Sequence, residues 1–363
     1  MMKLVKYAAP LAVLAGLSIA AAPAHAQVKL KAGKPKISFI FFGTTSDGGW
    51  ADSQNDARKA LATAYDQRIP YVENVPETTA KVEQAIDLFI NHGSNVVLAG
   101  SYGYSDAFAA EAKAHPDVAF VNMGGISSAD NLESPYPKTY EGWYLAGMAA
   151  GYATKTKTLG MLEGFPIPDV VWDVNAFALG AAAANPGTVV KVAFVNSWSD
   201  PVKEAQISKA MIEQGADVIA TDMDTAAALV VAEKAGKYSV GYQVDMAKSA
   251  PNGILTSVVF HWNKVLTPMV KGMGAGTWKS GGTPLYGMKT GVIDTTSIEH
   301  IPADDIAKIE AVRAKIIAGT FNPYTGPIKS QDGKVQVADG KVISDDDMWN
   351  MNYLVDNVKG SMK

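Results

Sequence analysis

Two tryptophans stand where buried strands are expected to end. Trp50 closes the run Gly43-Thr44-Thr45-Ser46-Asp47-Gly48-Gly49-Trp50, and Trp198 lies in Asn196-Ser197-Trp198-Ser199-Asp200-Pro201. An indole directly after two glycines and before a helix is poorly placed for a sheet core, so its ring is expected to project into a cleft. Two such rings from opposed halves would sandwich a flat heteroaromatic molecule. Each offset-stacked pair contributes roughly 0.5–1.5 kcal/mol beyond area burial. Other strand-end residues could supply polar contacts. Ser46 and Asp47 can bond a ligand or cap the helix that follows. Ser101 and Tyr102 sit in Gly100-Ser101-Tyr102-Gly103-Tyr104-Ser105-Asp106, and Phe165 follows Glu163-Gly164. Asp224 and Asp245 lie in Thr221-Asp222-Met223-Asp224-Thr225 and Gln243-Val244-Asp245-Met246. Their carboxylates could accept ring or exocyclic N–H groups, or sugar hydroxyls.

Other chemistries find little support. His92, His115, His261 and His300 are scattered, with no His-x-x-x-His pair. Asp52 and Asp56 read as a solvated helix face, and Asp345-Asp346-Asp347 as a helix start favoured by the macrodipole. Ser46, Ser101 and Ser197 lack a Gly-x-Ser-x-Gly setting. Gly43 to Gly49 fits neither a dinucleotide fingerprint nor a Walker loop. No metal and no cofactor are therefore expected. The absence of cysteine excludes disulfides and thiolate chemistry. A net charge of −4 without a basic block does not suit nucleic acid or an anionic membrane. Trp143, Trp278 and Trp349 are expected to pack the core.

The elements that must position these residues alternate along the chain. Ile37-Ser38-Phe39-Ile40-Phe41-Phe42 is a nearly continuous apolar run ending at Gly43, as a buried parallel strand should be. Helices over 51–67, 78–91 and 105–114 and strands over 69–75, 95–99 and 118–121 complete a doubly wound α/β unit. The pattern then repeats. Helices over 140–154, 169–184, 201–214 and 226–235 alternate with strands over 158–162, 189–195, 217–220 and 238–242. Leu255–Phe260 is expected to carry the chain back to the first half, with a helix over 262–272 packing there. A helix over 302–318, a hairpin signal at Gln331-Asp332-Gly333-Lys334 and a last helix after Ser344 complete the tail. The expected lobes are 27–136 with about 255–290, and 137–254 with about 291–363. Ligands in open α/β sheets bind beyond the carboxyl ends of the strands, and two such lobes can close on a small molecule.

Ahead of all this stands a leader. Lys3 and Lys6 precede an apolar run from Ala8 to Ala22, and Ala24-His25-Ala26 is a small-residue cleavage site. The mature chain is expected to begin at Gln27, soluble in a periplasm, without a lipid-anchoring cysteine.

The strand-end motifs, in their order and spacing, resemble the basic-membrane-protein family. These are ABC-transporter solute-binding proteins related to the bacterial purine-nucleoside receptor. The resemblance rests on Ser46-Asp47-Gly48-Gly49-Trp50, Gly100-Ser101-Tyr102-Gly103-Tyr104-Ser105-Asp106 and Glu141-Gly142-Trp143-Tyr144-Leu145-Ala146-Gly147. It continues in Asn196-Ser197-Trp198-Ser199-Asp200-Pro201, Gln214-Gly215-Ala216-Asp217-Val218 and Gly241-Tyr242-Gln243-Val244-Asp245. It implies a type I periplasmic-binding-protein fold and a purine held between aromatic rings. Trp50 resembles the family's first stacking phenylalanine, Trp198 its partner, and Asp245 the carboxylate that meets ribose. The nucleoside receptors usually carry Asp-Asp-Lys-Ser-Phe-Asn in the first loop, and a ribose-contacting lysine near Phe260-His261-Trp262-Asn263. Neither is present here, which points to a free base, adenine first and another purine second. The implied protein is a monomeric receptor serving an inner-membrane permease, with no enzymatic step. The alternatives are an exported nucleoside-processing hydrolase using Asp47, Asp224 or Asp245, and a ligand-loaded sensor for a membrane receptor.

Overall fold

Strand β1 (Ile37–Ile40) is buried at every residue because helices cover both faces of its sheet. The computed structural model describes residues 34–362, and the leader expected over 1–26 lies outside them. β1 is joined by β2 (Tyr71–Val72), β3 (Val96–Ala99), β4 (Ala119–Asn122) and β5 (Leu132–Glu133). All pair in parallel, in the order β2-β1-β3-β4-β5. The connecting helices are α1 (Trp50–Tyr65), α2 (Thr79–Asn91) and α3 (Ser105–Ala114). On α2 the expected stripe of Val82, Ala85, Ile86 and Phe89 is buried. The strand expected over 69–75 shrinks to the two residues of β2. Pro70 and Pro76 bracket it at the sheet edge, and proline cannot donate to a ladder.

The chain leaves this lobe through β6 (Tyr136–Pro137) and enters α4 (Thr139–Ala153), which packs along α5 (Pro168–Ala184). Glycines let the two backbones touch. A Cβ on Gly180 would lie 2.0 Å from the Tyr144 carbonyl oxygen, and one on Gly147 2.1 Å from that of Phe177. The second sheet contains β7 (Thr158–Glu163), β8 (Val189–Phe194), β9 (Val218–Thr221), β10 (Tyr238–Gln243) and β11 (Ile254–Phe260). Helices α6 (Pro201–Glu213) and α7 (Ala227–Lys234) connect these strands.

The expectation for Leu255–Phe260 needs correction. This strand does not return to the first half. It pairs in parallel with β10, Tyr242 opposite Val258, as an inner strand of the second sheet. A seven-residue run buried throughout suits an inner position in either sheet, so its composition could not choose between them. The crossing comes after it. Helix α8 (Asn263–Ala275) packs on α1, with Trp262 Nε1 donating to Ser53 Oγ at 3.3 Å.

The chain crosses again through β12 (Leu285–Tyr286), which pairs with β6, to β13 (Ile293–Thr295), antiparallel to β11. Then follow α9 (Ala303–Ala318), the hairpin β14 (Ile328–Lys329) and β15 (Val335–Val337), α10 (Asp345–Met348) and β16 (Val358–Lys359). The second sheet therefore runs β13-β11-β10-β9-β7-β8-β16. Two doubly wound lobes result, with strand ends facing one cleft.

Candidate functional site

Segments after β1 to β4 meet the start of α5, the loops after β7, β8 and β9 and the end of β10 around a cavity of about 650 Å³, open solvent at its mouth included. The first lobe contributes Trp50, Glu77, Ser101, Tyr102 and Gly124, and the crossing contributes Tyr136. The second contributes Asp169, Asp173, Trp198, Asp222, Asp224 and Tyr242. An adjoining recess shares Trp50, Trp198 and Asp224 and adds Asp47 and Phe165.

Trp50 is held from several sides. Its indole N–H donates to the Gly100 carbonyl at 2.8 Å, so the polar edge is spent within the protein. Phe260 and Trp262 meet the ring edge-to-face at 5.7 and 5.5 Å, and a Cβ on Gly124 would come within 3.1 Å of it. What remains for a ligand is the apolar ring surface. Trp198 is placed by a different device. Asn196, at φ 58°, turns the chain after β8, and the indole lies against Gly164 at the end of β7. A Cβ there would sit 2.3 Å from a ring atom. Phe165 supports Trp198 edge-on at 4.9 Å.

The wall between the rings is acidic. No lysine or arginine lines the cavity among the described residues. Asp169 accepts from the Tyr136 hydroxyl at 2.9 Å, and Asp173 from Thr139 Oγ1 at 2.6 Å and the Tyr242 hydroxyl at 3.2 Å. Burial drives both carboxyls upward, Asp173 well above its ordinary value. Asp224 is pushed up to about 7, first by burial and then by the Asp47 carboxylate. A cavity built this way favours a neutral or cationic ligand bearing N–H or O–H donors and repels phosphates.

The residues expected from sequence separate into groups. Trp50, Trp198, Ser101, Tyr102 and Asp224 come together around the main cavity. Ser101 Oγ is engaged with Glu77, while Tyr102 is 60% exposed at the mouth. Phe165 buttresses Trp198 instead of lining the main cavity. Asp47 caps α1, accepting from the N–H groups of Gly49, Ala51 and Asp52 at 2.8–3.0 Å. Ser46 is exposed and outside both recesses. Asp245 is also exposed, accepting from the Ala247 N–H at 2.9 Å, and does not line the cavity. Asp169, Asp173 and Asp222 were not singled out from sequence. The signal for the first two was available: carboxylates four apart at the start of a helix share one face.

The fold and the cleft define a two-lobed solute-binding protein of the type I periplasmic class. An ABC-transporter solute-binding protein from Conexibacter woesei superposes with a TM-score of 0.67 at 19% identity, over 79% of this chain and 98% of that one. Residues 34–324 match the Bmp family, described as ABC transporter substrate-binding protein PnrA-like. The chain belongs to that family. A purine-binding protein of Brucella abortus is 38% identical over 96% of this chain and 98% of its own length. A putative ABC-transporter glucose-binding protein of Haloferax volcanii is 32% identical over 70% of this chain and 65% of its own. Proteins of this kind bind small molecules and hand them to a permease.

Proposed function

We propose that this chain binds a free purine base, adenine in preference, between Trp50 and Trp198 and delivers it to an inner-membrane ABC permease. One observation carries the reading: a tryptophan from each lobe lines the same cavity, and the wall between them carries Asp169, Asp173, Asp222 and Asp224 with no lysine or arginine among the described residues. A purine has two flat faces for the indoles and N–H groups at its rim for the acids. Asp245, the expected ribose partner, lies outside the cavity, which favours the base over the nucleoside. The purine-binding relative from Brucella abortus supports the same class of ligand. Binding and lobe closure suffice for this role, so no bond is made or broken. The leader at 1–26 supports a periplasmic location, and a single chain encloses the whole cavity, consistent with a monomer.

Calorimetric titration with adenine, adenosine and glucose tests the proposal. Adenine should bind with the lowest Kd. Tighter binding of adenosine would restore the nucleoside reading, and preference for glucose would remove the purine altogether.

A further inference from the structure

Glu163 and Asp222 stand together where two neighbouring parallel strands end. Leu162 of β7 pairs with Thr221 of β9, and the Asp222 N–H donates to the Leu162 carbonyl at 2.9 Å. One residue further along each strand, the Glu163 and Asp222 side chains are neighbours. Glu163 has no exposed surface, and among the described residues no N–H or hydroxyl donor meets either of its oxygens. Asp222 is 4% exposed and lines the cavity.

The groups facing this pair offer it no compensation. Asp169 and Asp173 approach from α5, Asp224 from the loop after β9, and Tyr242 and Tyr136 from β10 and the first crossing. The two tyrosine hydroxyls already donate to Asp173 and Asp169. Two adjacent carboxylates among further acids cannot both ionise, so they share a proton. Burial drives both carboxyls well above their ordinary values. The location of the proton follows from access. An ionised Asp222 can be met by a ligand or water in the cavity, whereas an ionised Glu163 would be a buried charge with no other partner.

We propose that Glu163 is a positioning residue for ligand selection: by keeping the shared proton, it holds Asp222 as a carboxylate that only accepts. The cavity then selects a purine that places an N–H donor, such as an exocyclic amine, against Asp222, and disfavours one that places a carbonyl there. This deepens the purine reading and rests on it.

The experiment is calorimetric titration of the full mature chain with adenine and with hypoxanthine at a single pH. It is run on the wild type, Glu163→Gln, Glu163→Ala and Asp222→Asn. The wild type should prefer adenine at least roughly tenfold, because a carbonyl would leave Asp222 unpaired. In Glu163→Gln an amide N–H replaces the acid O–H toward Asp222, so the preference should persist; in Glu163→Ala Asp222 loses that donor, and the preference should fall. In Asp222→Asn the preference should collapse. Equal wild-type affinity for the two bases overturns the proposal without needing any variant. So does a Glu163→Ala variant that keeps the wild-type preference, or an unchanged preference in Asp222→Asn. A wild type that binds neither base defeats the purine reading and this proposal with it.

Discussion

The backbone N–H of Trp50, the first residue of α1, points across the cleft to Oδ1 of Asp224 at 3.4 Å. A carboxylate of the second lobe thus caps a helix of the first, at the end where the macrodipole favours negative charge. Gly49 makes the approach feasible. A Cβ on it would lie 2.6 Å from Gln243 Oε1 and 2.8 Å from the Asp224 Cα. Both contacts cross between the lobes, so they belong to the closed arrangement.

Gly49→Ala should therefore hinder closure while leaving each lobe folded. Overpacking of about 1–3 kcal/mol corresponds to a loss of roughly 5- to 150-fold in ligand affinity. Titration calorimetry would measure that loss, and small-angle scattering should show reduced compaction on adding ligand. Unchanged affinity would mean that the two loops do not need to meet this closely.

Trp50→Ala and Trp198→Ala should each weaken binding roughly tenfold or more, the loss of one stacking face together with its buried area. The corresponding phenylalanine variants should recover much of the difference. Circular dichroism should show both alanine variants folded.

Gly164→Ala should act on Trp198 without touching a ligand. The added methyl would enter the indole, so the ring must swing away from its position in the cavity. Binding should fall about as far as in Trp198→Ala, and Trp198 emission should shift. Wild-type affinity in Gly164→Ala would show that the ring position is not critical.

Glu141 and Asp224 are both raised to about 7, from ordinary values of 4.5 and 3.8, chiefly by burial. Between about pH 4 and about pH 7 the folded chain therefore holds more protons at these groups than the unfolded chain, and their ionisation costs stability as pH rises through that window. Glu73, Asp200 and Asp332, lowered by hydrogen bonds, act at its acid end. Ligand-free protein should have a higher Tm at about pH 5.5 than at about pH 7.5. Glu141→Gln and Asp224→Asn should each flatten that slope. Equal slopes in all three would contradict the burial of these carboxyls.

Local patterns in the sequence were sufficient for the two α/β halves. The apolar runs of β1 and β3, the stripe on α2 and the Pro201 start of α6 behave as their periodicity and caps require. Sheet membership was not legible in the same way, because β11 reads as a buried strand wherever it pairs. Trp50 and Trp198 were legible because glycines and strand ends leave a large ring nowhere to go but the cleft. Asp245 shows the limit of such reasoning, since a strand-end carboxylate can equally turn outward and bond its own loop. Glu163 and Asp222 carry no local mark. Their pairing depends on the register of β7 against β9, which only the folded sheet reveals.

The central claim, a purine between Trp50 and Trp198, is tested most directly by mass spectrometry of the small molecule released when the purified protein is denatured. A purine base, with adenine dominant, is the predicted result. A sugar or an amino acid in its place, at stoichiometric amounts, would contradict it.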